Sequence, residues 1–137
     1  MVLEHAARDG THDVDCGEIT PHGEVFRASL AVAAELKLPQ GWLNQQASAY
    51  VPTDAPWQQS ASFDHPNLRL YAISPKALLA MKLQAGRGSD LADICVLLKL
   101  LKLQDRDEVL TLVAAIFPGE PLGPRQLDAL DDALASL

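Results

Sequence analysis

The dipeptide Ser74-Pro75 divides this chain. A hydroxyl residue at an N-cap with proline at the first helical position is a strong helix start. From there to the C-terminus, apolar residues recur at helical spacing between clear stop and start signals. Leu78, Leu79, Met81, Lys82 and Ala85 carry a first helix that Gly86-Arg87-Gly88 ends. Ser89 is the expected cap of a second, whose broad apolar face is Leu91, Ile94, Cys95, Leu97, Leu98 and Leu101. Asp105-Arg106-Asp107-Glu108 has capping-box spacing and opens a third helix through Leu112, Val113 and Ile116 to Pro118. A last helix is expected from about Arg125 to Leu134.

Before Ser74 the pattern is different. Thr11 to Cys16 reads as a strand by spacing, with turns at Gly17 and at Pro21 to Gly23. Val25, Phe26, Leu30, Ala33 and Leu36 predict an amphipathic helix over Glu24 to Lys37, stopped by Pro39 and Gly41. Trp42-Leu43-Asn44 is expected to open a short helical turn. Pro52, Pro56 and Pro66 then interrupt everything around a short strand near Ser60 to Phe63. Leu68 to Ile73 alternates as a strand, with Leu68, Leu70 and Ala72 on one face and Arg69, Tyr71 and Ile73 on the other. Strands followed by packed helices predict an α+β fold. The length, 137 residues, fits a single domain, sheet-containing over about 1–73 and helical over 74–137.

Composition narrows the function. Hydrophobic residues make up 48% of the chain and charged residues 21%, a globular balance. The net charge of -7 argues against a protein that holds nucleic acid chiefly by coating its phosphates, and leaves room for a small local site. Two cysteines without C-x-x-C spacing exclude a disulfide scaffold and a zinc ribbon. His5 and His12 near Cys16 lack the tight spacing of a soft-metal site. No signal pattern and no long apolar run appear, so a soluble, cytoplasmic protein without membrane contact is expected. Tyr71 and Trp57 read as packing residues, too few for an RNA stacking platform.

Three features carry chemistry. Asp13 and Asp15, two apart on a strand, point to one face roughly 7 Å apart at the backbone. Paired hard oxygens of this kind suit Mg²⁺, which in turn binds phosphates. With twelve Asp in the chain, about one Asp-x-Asp arises by chance, and Asp105-x-Asp107 is a second example. A solvated strand end is the plain alternative. Asp90 and Asp93 share a helix face in a first turn, where the helix dipole alone accounts for acidic residues. Lys82 interrupts an apolar run, placed either to reach a phosphate, to pair with a carboxylate, or to snorkel to the surface.

Taken in order, these pieces resemble a known family. Arg8-Asp9-Gly10-Thr11-His12-Asp13-Val14-Asp15 resembles the R-x-T-x-D-[VI]-D strand of small prokaryotic nucleotidyltransferases in the polymerase-β superfamily. Pro39-Gln40-Gly41-Trp42-Leu43-Asn44, Ser74 to Lys82 and Arg87 to Ile94 are similar to further blocks of one little-studied branch. The lysine and Asp-x-x-Asp spacing is also similar to that of abortive-infection nucleotidyltransferase toxins. The resemblance spans nearly the whole chain in one order. It implies a small nucleotidyltransferase-type mixed sheet followed by a C-terminal helical bundle. It also implies Mg²⁺ held by Asp13 and Asp15, and transfer of NMP from an NTP to an RNA or protein acceptor, in a toxin–antitoxin setting. Lys82 would join Asp13 and Asp15 in catalysis, while Arg8, Thr11, Asp90 and Asp93 would support the nucleotide or acceptor. Asp64 is the nearest candidate for the superfamily's third carboxylate.

One element of the family pattern is missing. Its Gly-Gly or Gly-Ser turn, about ten residues before the paired Asp, would fall at or before Met1. Two expectations follow: a start at an internal methionine with Gly-Gly encoded upstream, or a degenerate relative that acts as a non-catalytic protein-binding module. Leu97, Leu98, Leu100, Leu101 and Leu103 exceed what one buried face needs, and are the expected interface with a protein partner or a second copy.

Overall fold

The computed structural model describes residues 13–60 and 65–137. The fold is mixed α+β, with a helical C-terminal part. It separates into two compact units, Met1–Val51 and Pro52–Leu137.

In the first unit, strand β1 (Val14–Asp15) is followed by helix α1 (His22–Leu36) and strand β2 (Leu43–Asn44), and a 3₁₀ turn covers Gln46–Tyr50. β1 and β2 are parallel, Val14 opposite Leu43 and Asp15 opposite Asn44. A parallel pair needs a crossover long enough to return the chain, and α1 is that crossover. The Val14 amide donates to the Trp42 carbonyl and the Cys16 amide to the Asn44 carbonyl, at 2.8 Å for the latter. Trp42-Leu43-Asn44 is therefore strand, where a helical turn was expected. The Trp42 indole N–H also donates to the Ser29 carbonyl at 2.9 Å, tying the start of β2 to α1. Pairing with β1, distant in sequence, overrides the local signal at Leu43. The helix predicted over Glu24 to Lys37 is present, starting two residues earlier. It closes at Lys37, which takes the left-handed conformation at φ 55°.

The second unit begins with an antiparallel pair, β3 (Trp57–Gln59) and β4 (Tyr71–Ile73), in the register Trp57 with Ile73 and Gln59 with Tyr71. β3 lies earlier than the strand expected near Ser60 to Phe63, of which 61–63 fall outside the described residues. Helices α2 (Pro75–Ala85), α3 (Leu91–Leu101), α4 (Arg106–Ile116) and α5 (Pro124–Ala135) complete the unit. Ser74 caps α2 as expected, its hydroxyl accepting from the Ala77 amide at 3.3 Å. Asp105 caps α4 through the Glu108 amide at 3.0 Å. Ser89 does not cap α3: it sits inside a 3₁₀ turn, Gly88–Asp90, that leads directly into the helix. Tightening the chain into i→i+3 bonds satisfies the entering amides without a hydroxyl, as in the 2.9 Å bond from the Asp90 amide to the Arg87 carbonyl.

α2 is the centre of this unit. Ala77, Leu79, Ala80, Met81 and Leu83 are all buried, so the helix is apolar on most of its circumference and packs against α3, α4 and α5. Leu79, Leu83, Ile94, Leu97, Leu98, Val109 and Leu130 form the closed interior. The leucines expected as an interface are largely absorbed here. Leu97 and Leu98 are fully buried, Leu101 and Leu103 half-buried, and Leu100 alone of the five is exposed, at 49%. Packing against both α2 and α5 demands more apolar surface of α3 than one buried face supplies. Among the described residues no helix is long and apolar enough to cross a membrane.

Candidate functional site

The sequence-predicted residues fall into two sets, one in each unit. Asp13 and Asp15 belong to the first. β1 alternates as a strand must, with Val14 and Cys16 half-buried and the two aspartates exposed, so both carboxylates project from one face. Burial, and then the neighbouring Asp15 carboxylate, push the Cys16 thiol above its ordinary value. Burial therefore favours the protonated thiol at Cys16. Arg8, Thr11 and Asp64 lie outside the described residues.

The second set meets at one point. Lys82 Nζ lies 2.8 Å from Asp90 Oδ1 and 2.8 Å from Asp93 Oδ2. The local fold explains the meeting. Gly86, at φ 57°, ends α2 in the left-handed conformation, and the 3₁₀ turn then brings the chain back alongside it. Asp90 and Asp93, three apart, face the last turn of α2 that carries Lys82. Asp93 is 1% exposed and Asp90 is buried, while Lys82 is partly buried. A lysine and two carboxylates placed this way are mutually compensating, since each would be costly to bury alone. Among the described residues no buried side-chain nitrogen or oxygen lacks a partner. Of the three placements open to Lys82 from its sequence, the structure shows the pairing with carboxylates.

The turn that makes this possible is tightly fitted. A Cβ on Gly86 would lie 3.1 Å from Gln126 Cγ, so both the left-handed backbone and the close Gln126 side chain favour glycine. Gln126 donates to the Gln84 carbonyl at 3.4 Å, and Gln84 in turn donates to the Glu120 carbonyl at 2.6 Å. These bonds fasten the end of α2 to the segment entering α5.

The paired aspartates have the donor chemistry that Mg²⁺ requires. Mg²⁺ is commonly held by one or two carboxylates, with water and phosphate oxygens completing its shell. Two exposed carboxylates on one strand face fit that pattern. Among the described residues no group of three or more His, Cys, Asp or Glu converges as a metal cage. The chain matches no family model, no curated protein and no solved structure.

Two further residues were misplaced by sequence reasoning. Trp57 and Tyr71, expected to pack, are 42% and 53% exposed. Strands of three residues, separated by only a short register, have no second layer wide enough to cover both faces. The prolines at 52, 56 and 66 already announced such short strands.

Proposed function

We propose that this chain is a nucleotidyltransferase-like protein of the polymerase-β type, dependent on Mg²⁺, that transfers NMP from an NTP to an RNA or protein acceptor in a toxin–antitoxin setting. The observation that carries this reading is the geometry of β1. Asp13 and Asp15 stand on one exposed face of a strand whose alternate residues, Val14 and Cys16, turn inward. The ordered sequence blocks support the same reading, with the small nucleotidyltransferase fold as its structural expectation.

In this reading Asp13 and Asp15 would hold the ion, which when bound supplies positive charge against the phosphates of the nucleotide. The strand spaces the two carboxylates, and its pairing with β2 fixes their direction. Lys82, Asp90 and Asp93 hold α2 and α3 together at the Gly86–Asp90 turn of the second unit.

The test is calorimetric titration of MgATP and MgCTP into the chain and into the Asp13→Asn/Asp15→Asn double variant. Binding that requires both Mg²⁺ and the two aspartates is expected. Nucleotide transfer that persists in the double variant would sink the assignment. Absence of binding in the unaltered chain would favour the non-catalytic binding module instead.

A further inference from the structure

We draw no further inference here: the strongest candidate, the exposed Trp57–Tyr71 surface of the β3–β4 pair in the second unit, carries nothing because nothing in the structure shows what covers it.

Discussion

Lys82 places a cation inside the helical unit, and Asp90 and Asp93 meet it at 2.8 Å each. Removing the lysine leaves two carboxylates facing one another in a poorly hydrated site. Lys82→Met is therefore expected to destabilise the protein by about 3 kcal/mol, read from urea denaturation. Asp90→Asn, which keeps shape and a hydrogen-bonding oxygen, is expected to cost about 1–2 kcal/mol. Equal effects from the two changes would show that the lysine is held by packing rather than by charge. Cys16 gives a prediction in pH. Its folded thiol titrates above the ordinary value, so the folded state binds the proton more tightly than the unfolded chain does. The stability due to that difference is complete below the ordinary thiol range and is lost as pH rises through it. In a Cys95→Ala background, iodoacetamide is expected to alkylate folded Cys16 with a pH midpoint above that of the urea-unfolded chain. Spacing alone put Asp90 and Asp93 on one face and left three roles open to Lys82. The choice among them needed the reversal at Gly86, which sets two helices side by side.

The helices were legible almost to the residue, because their signals are local. Ser74-Pro75 and Asp105 with Glu108 act within one turn of where they stand, and both caps are made as their spacing implies. The end of α1 falls at Lys37 as expected, while no glycine or proline marks the end of α3. Each closes on a lysine in the left-handed region, Lys37 at φ 55° and Lys102 at φ 57°, where glycine is the usual residue. The exposed Lys102 is strained by its Cβ, so Lys102→Gly is expected to raise stability by about 0.5–1 kcal/mol despite the entropy glycine adds to the unfolded chain. Gly86 is the converse case. Gly86→Ala adds a Cβ in the left-handed region, 3.1 Å from Gln126, and is expected to cost about 1–2 kcal/mol. Thermal melts of the two variants should move in opposite directions.

For the whole molecule, the large fully buried side chains among the described residues belong to the second unit, from Leu79 to Leu130. α2 through α5 pack on one another within the second unit. A fragment of residues 52–137 is accordingly expected to fold alone, with helical circular dichroism and a single cooperative thermal transition. A fragment that stays unfolded would show that this core depends on the preceding residues. Within the first unit the buried positions among the described residues are Ser29 and Ala33, both on α1. That contrast predicts that hydrogen exchange is faster at α1 than at α2 or α3.

The sequence by itself determined the four C-terminal helices, their principal caps and the α+β class, because helical hydrogen bonds and caps link residues a few positions apart. It also determined that Asp13 and Asp15 share a face, since strand alternation is a property of the backbone. Only the tertiary structure decided that Trp42-Leu43-Asn44 enters a strand, because its partner lies near residue 14. Only the tertiary structure decided that the leucines of α3 are mostly core, and that Trp57 and Tyr71 are surface. Exposure is not a property of a residue or of its neighbours in sequence. It depends on which distant element covers the residue: α2 and α5 cover α3, while Trp57 and Tyr71 on the β3–β4 pair stay exposed.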